Sequence, residues 1–148
     1  MELRPLLLRV DLLLKAEKFH GAFPHFMDGR TGKVIPYFGK YDDGGDLVET
    51  SFLMQGLLTA KQFFNADNQQ EKYIRGSITK LWKGVEWDWY RKDNEQVLYW
   101  HWSPDKGWIM NLPVRGWNEA LMMYVLAAAS PTHRRAIHTA WKCVPRRL

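Results

Sequence analysis

Thiols, one-signed charge and long apolar runs are all scarce in this sequence of 148 residues. The single cysteine, Cys143, excludes an internal disulfide framework and a cysteine-built metal cluster. The leucine runs near the N-terminus are cut by Arg4, Arg9 and Asp11, so they offer no unbroken apolar span of about 18 residues to cross a membrane. With the same charges and no small-residue cleavage site, the stretch is not expected to be a signal peptide. The stretch reads as an amphipathic helix separated from its upstream neighbours. The formal charge of +5 is local. Arg134, Arg135, Lys142, Arg146 and Arg147 carry it, and the first 133 residues hold 16 basic and 16 acidic side chains. A basic face across the fold, the usual footprint of a nucleic-acid binder, is therefore not expected. Histidines occur without HxxxH or HExxH spacing. Ser51, Ser103 and Ser130 lack a nucleophile-elbow context, and Cys143 has no evident base. A carboxylate mechanism is what remains.

Aromatic residues are abundant instead. Of eight tryptophans, Trp82, Trp87, Trp89, Trp100, Trp102 and Trp108 fall within 27 residues. Core packing is one explanation of such density. A platform on which flat ligands stack, sugars or bases, is the other. The neutral charge of the region favours sugars, because a base-stacking groove also needs cations to follow the phosphates.

Periodicity predicts helices over 3–19, 46–65, 69–86 and 117–129, with a last short one over 131–142. The helix over 46–65 is apolar nearly all round, which predicts burial between other elements. The helix over 69–86 has one apolar stripe (Tyr73, Ile74, Ile78, Leu81, Trp82, Val85), which predicts one side in solvent. The two make an αα-hairpin. Residues 20–45, with six glycines and two prolines, read as an ordered functional loop. Residues 87–116 leave the helical period and read as a short β-hairpin or irregular aromatic lobe, with turns at Lys92–Asn94 and Pro104–Gly107. Buried and amphipathic helices in alternation are the pattern of stacked helical hairpins.

Two acidic groups stand at the starts of the two buried-type helices. Asp46 and Glu49 form a capping-box-like pair, and capping alone accounts for them. Asp42 and Asp43 are not needed by that cap. Like charge concentrated there costs stability unless a ligand or cation offsets it. The spacing is not that of an EF-hand, and no metal is expected. Glu119 is the second group. If the two helices run parallel, acids from both face one cleft. His101, alternating with aromatics, reads either as a hydrogen-bonded strand histidine or as a substrate contact.

The run from Lys40 to Leu58 (KYDDGGDLVETSFLMQGLL) resembles the glycoamylase-like family. So do Val85–Tyr90 (VEWDWY), Tyr99–Pro104 (YWHWSP), Arg115–Glu119 (RGWNE) and Ala127–His133 (AAASPTH), in the family's order. The likeness covers residues 18–133, and the basic stretch 134–148 departs from it. The family includes endo-β-1,2-glucanases, and related domains occur in cyclic β-1,2-glucan synthases. The resemblance implies an all-α fold, the (α/α)6 barrel, with an inner and an outer ring of helices and a site at one mouth. This chain would supply roughly a third to a half of such a barrel. The chain as a whole, 1–148, then reads as a fragment, a truncated reading frame or a cut piece of a longer gene. An open arc of hairpins would leave helix 46–65 exposed on one side.

The resemblance further implies a β-glucan, an oligo- or polysaccharide, as partner, with β-1,2-glucan first, and no cofactor. Glu119 would be the general acid. Asp42, Asp46 and Glu49 would hold sugar hydroxyls or tune its proton affinity. Trp87, Trp89, Trp102 and Trp108 would stack glucose rings, and His101 and Arg115 would hydrogen-bond to them. An inverting hydrolase needs two carboxyls about 6.5–9.5 Å apart, and the family's further acid lies beyond the part covered here. A catalytically inactive carbohydrate-binding fragment is the alternative. The family's members are often exported, toward periplasm or medium, although no export signal is read in this chain.

Overall fold

A computed structural model describes residues 2–116, 118 and 120–133. Its regular elements are four α-helices, α1 (Leu3–Lys15), α2 (Leu47–Phe63), α3 (Gln69–Gly84) and α4 (Leu121–Ala129), one 3₁₀ turn (Trp89–Arg91), and two short strands, β1 (Gly45–Asp46) and β2 (His101–Trp102). The helix α1 packs on α3, α3 on α2, and α2 on α4. No helix among the described residues is long and apolar enough to cross a membrane.

In α1 the buried positions Leu6, Val10 and Leu13 recur at helical spacing and define its inner face. The helix ends at Lys15, four residues short of the expected boundary. Lys18 folds back and its Nζ donates to the carbonyls of Leu13 (2.9 Å), Leu14 (3.2 Å) and Ala16 (2.7 Å). Those terminal carbonyls are thereby satisfied without another helical turn. The Glu17 N–H is donated to Gly32, which commits the chain to the following loop.

The hairpin of α2 and α3 forms as its caps dictate. Asp46 accepts from the Glu49 N–H at the start of α2, and Asn68 does the same for Glu71 at the start of α3. Only half of the capping box at Asp46 is made, because the Asp46 N–H is donated to the Phe23 carbonyl. The stripe of α3 is buried through Ile74, Ile78 and Leu81, with Val85 following. Tyr73 is the exception. It is half-exposed and its hydroxyl donates to Asp11 (2.6 Å), tying α3 to α1.

Helix α2 is not buried all round. Leu47, Thr50, Met54, Leu57 and Ala60 face the core, whereas Phe52 and Phe63 are exposed. An apolar composition buries a helix only where neighbours surround it, and here α3 and α4 cover one side. The open flank expected of a partial arc is present.

The lobe of residues 87–116 is irregular, and its hairpin pairing is confined to isolated antiparallel bridges, Tyr99 with Pro113 and Ser103 with Gly107. Lys92, Asp93 and Asn94 adopt positive φ in succession, which turns the chain without returning it as a strand. Instead β2 pairs antiparallel with β1, Gly45 opposite Trp102 and Asp46 opposite His101. Around it, Tyr99 donates to Tyr90, Trp100 to Leu112, and Val114 to Leu98. The turn at Pro104–Gly107 is held by Ser103, whose Oγ accepts from the Asp105 and Lys106 N–H groups. Helix α4 starts at Leu121, later than the expected 117, after Asn118 has accepted the Ala120 N–H. The Tyr124 hydroxyl accepts from Leu98 N–H (3.0 Å) and donates to the Val114 carbonyl (2.7 Å), binding α4 to the lobe. Residues 131–133 are bends, and the rest of the expected helix 131–142 lies outside the described residues.

Candidate functional site

Two glycines decide how closely the acidic loop approaches the lobe. A Cβ on Gly44 would fall 1.9 Å from the carbonyl oxygen of Trp102, and one on Gly45 would fall 2.1 Å from the Tyr90 hydroxyl. Only glycine lets the β1–β2 pair close, and that pair carries Asp46 beneath Trp100 and beside His101. The loop from residue 19 is anchored from the other side. The Phe23 N–H donates to Thr50 Oγ1 (2.7 Å) on the first turn of α2, which brings His25 over the acids.

Asp46 is fully buried. Its Oδ1 accepts from the Glu49 N–H (2.9 Å) and its Oδ2 from Trp100 Nε1 (2.6 Å). His25 Nδ1 stands 3.6 Å from Asp46 Oδ2 and 3.8 Å from Asp42 Oδ1, close enough for charge attraction but short of a hydrogen bond. Burial pushes the Asp46 carboxyl up to about 6, against the opposing pull of its two hydrogen bonds and of His25. Asp42 is also buried. Its Oδ2 accepts from the Phe38 N–H (3.3 Å), and its Oδ1 has no hydrogen-bond partner.

Asp43 Oδ1, His25 Nδ1 and both ring nitrogens of His101 are likewise buried and unpartnered. His101 is held below its ordinary value by burial, partly countered by Asp42 and Asp43 and reinforced by His25. His101 is thus not the hydrogen-bonded strand histidine that one reading expected. Buried polar atoms without partners cost about 1–3 kcal/mol each. A cluster of them carrying acceptor and donor capacity is matched by a ligand rich in hydroxyls, each of which both donates and accepts. Among the described residues no group of three or more His, Cys, Asp or Glu side chains is arranged to hold a metal ion.

Asp42, Asp46 and His101 are therefore brought together. Glu49 lies on the exposed side of the first turn of α2, where its N–H serves the cap. Trp87 is 1% exposed and its ring belongs to the core, so it presents no face for stacking. Trp89 is exposed and stacks on His20 (centroids 3.7 Å apart, 13° between planes), with half-buried Trp102 edge-on to both. Trp108 is half-buried against Tyr90 and Tyr99. Arg115 is exposed. Glu119 lies outside the described residues.

Two members of the cluster are not singled out in the sequence. His25 reads only as a histidine in a loop and Trp100 as one of many aromatics, whereas Asp43 stands out with Asp42 as charge that the cap does not need. A signal for Trp100 lies in the cap itself. A buried aspartate has more acceptor capacity than one helix N–H can fill, and a nearby indole N–H is a natural second donor.

No family model matches the chain. Among curated proteins it is 57% identical over 124 residues to the exo β-1,2-glucooligosaccharide sophorohydrolase (non-reducing end) of Parabacteroides distasonis. That alignment takes in 83% of this chain and 17% of the relative. The crystal structure of a β-1,2-glucanase from Parabacteroides distasonis superposes with a TM-score of 0.91 at 50% identity, over 93% of this chain and 20% of that one. An endo-β-1,2-glucanase from Chitinophaga pinensis, solved with sophorotriose and glucose, gives a TM-score of 0.86 at 57% identity, over 90% of this chain and 31% of that one. The chain thus spans about a sixth to a third of the proteins it matches.

Proposed function

Because this chain is a partial (α/α)6 barrel of the glycoamylase-like kind, we propose that it is the sugar-facing segment of a hydrolase acting on β-1,2-glucan. The observation that supports this reading is the buried cluster at the start of α2. Asp42, Asp43, His25 and His101 keep unpartnered polar atoms beside Asp46. Glucosyl hydroxyls supply the missing donors and acceptors, and water-excluding walls strengthen each such bond.

The bonds already made support the roles of Asp42 and Asp46, and the family likeness supports that of Glu119. Asp46 has both oxygens engaged, so it orients Trp100 and the first turn of α2 rather than moving a proton. Asp42 keeps Oδ1 for a sugar hydroxyl, and His101 donates or accepts according to its tautomer. Glu119 is the general acid, and Glu49 stands at the rim. Trp89 and Trp102, with Trp108 behind them, offer the faces on which glucose rings stack, and Arg115 adds a donor. Inversion requires a second carboxyl about 6.5–9.5 Å from the acid, placed to activate water on the opposite face of the ring. That base belongs to the remainder of the barrel. Residues 18–133 form the family-like sector, and 134–148 are a basic tail that departs from it.

A second reading, sugar binding without turnover, is favoured by the small share of each relative that this chain spans. Incubating the full 148-residue chain with linear β-1,2-glucan decides between them. The first reading expects quenching of tryptophan fluorescence with slow release of reducing ends, general-acid catalysis without the base that the remainder of the barrel supplies, and that release lost in Glu119→Gln. Quenching without reducing ends selects the second reading. Neither signal, from folded protein, overturns both.

A further inference from the structure

We propose that Phe26, Tyr37 and Phe38 form an aromatic platform that holds a further glucosyl unit beside the acid cluster. The proposal rests on the β-glucan reading above and extends it to a site outside the tryptophan-rich lobe. These three side chains are 40%, 68% and 65% exposed, yet they touch one another. Ring centroids lie 4.8 Å apart for Phe26 and Tyr37, 5.7 Å for Phe26 and Phe38, and 5.2 Å for Tyr37 and Phe38. Contiguous exposed aromatic surface is unfavourable unless something covers it.

Its position says what the occupant is. The His25 ring stacks parallel to Phe26 (4.7 Å, 12°) and lies 5.0 Å from Phe38. The same His25 faces Asp42 and Asp46. The Phe38 N–H is donated to Asp42 Oδ2, which leaves the buried Oδ1 of Asp42 unpartnered next to the platform. An apolar aromatic face running into a carboxylate with spare acceptor capacity is complementary to a pyranose. Its C–H face covers the rings while an edge hydroxyl donates to Asp42. A purely apolar partner would leave that carboxylate oxygen unsatisfied.

The platform is also held in place before any ligand arrives. Ile35 N–H donates to the Phe26 carbonyl (2.9 Å), Met27 bridges Val34, and Asp28 Oδ1 accepts from Arg30 N–H, Thr31 N–H and the Thr31 hydroxyl. A pre-ordered face loses little freedom on binding.

The test is calorimetric titration of the full chain with sophorose and with a longer linear β-1,2-gluco-oligosaccharide. Tyr37→Ala and Phe38→Ala should each weaken the longer sugar roughly fivefold to tenfold, the scale of an aromatic contact. Tyr37→Trp should restore it, and Asp42→Asn should weaken both sugars. The alanine variants remove exposed rings and should keep the wild-type unfolding midpoint. Unchanged affinity in both alanine variants, with Asp42→Asn weakened, overturns the platform and leaves the β-glucan reading standing. No binding by the wild-type chain overturns the two together. A shift of oligomeric state in Tyr37→Ala without a change in sugar affinity assigns the patch to a protein contact and also overturns the platform.

Discussion

Replacing Asp46 by asparagine separates the cost of a buried charge from the worth of its hydrogen bonds. The carboxyl is fully buried, and its proton affinity rises from the ordinary 3.8 to about 6. Between those two values the folded chain binds the proton more tightly than the unfolded one. The stabilising contribution is therefore fully present below about 3.8 and is lost as the pH rises through about 6. At about 1.4 kcal/mol per pH unit, the loss amounts to about 3 kcal/mol by neutrality. The substituted side chain carries no such charge. It keeps the cap, since asparagine caps as well as aspartate. It turns an N–H toward the Trp100 indole N–H, which costs about one hydrogen bond, or about 1–2 kcal/mol at any pH.

The variant should thus be less stable than wild type near pH 4 and equal or more stable at pH 7. The difference should drift by about 3 kcal/mol across the window. Urea unfolding read by tryptophan fluorescence at several pH values measures it. His101, held low by burial, acts in the opposite sense, its contribution rising with pH up to its ordinary 6.5, but it is common to both chains. His25, 3.6 Å from Asp46, is coupled directly, and repeating the pair in a His25→Gln background isolates the carboxyl. Stability differences that stay constant within about 0.5 kcal/mol from pH 4 to 7 would refute the reasoning.

Other perturbations test the scaffold. Gly44→Ala should destabilise by about 3 kcal/mol, since its Cβ meets a backbone oxygen that cannot swing away. Gly45→Ala should cost less, about 1–2 kcal/mol, because the Tyr90 hydroxyl can yield along with its bond to Phe19. Thermal unfolding of the two variants orders them. Trp100→Phe removes a donor to a buried carboxylate and should cost about 2 kcal/mol at pH 7 and less at pH 5, where Asp46 is protonated. Denaturant midpoints at the two pH values check it. Tyr124→Phe leaves the Leu98 N–H and the Val114 carbonyl without that hydroxyl. It should lower stability by about 1–3 kcal/mol and loosen the lobe first, as hydrogen exchange at Leu98 would report.

Local rules are readable wherever the chain's own neighbours enforce them. The 3.6-residue period places α2 and α3 within a few residues, and the Asp46 and Asn68 caps mark their starts. The turn at Lys92–Asn94 is legible because Asp93 and Asn94 are turn formers that tolerate the positive φ the chain adopts there. The acids at 42 and 46 are legible as a cluster, and the likeness to β-1,2-glucanases is carried by whole blocks of residues. What escapes is non-local. Nothing within residues 97–102 says that their partner strand is 45–46, more than fifty residues away. Nothing in a tryptophan's identity says that Trp87 is core while Trp89 is surface.

Composition and periodicity by themselves determined that this chain is mainly helical and that its body is neutral, and they directed attention to its carboxylates. They act through contacts a few residues long, which any fold containing the segment must respect. Tertiary structure alone decided that a histidine from one loop, an indole from another and a glycine-closed strand pair converge on the start of α2. It alone buried Asp46 with both oxygens bonded and left a buried oxygen of Asp42 and of Asp43 without a partner. Burial and charge coupling are properties of what surrounds a group, and the surroundings here come from parts of the chain that only folding brings together.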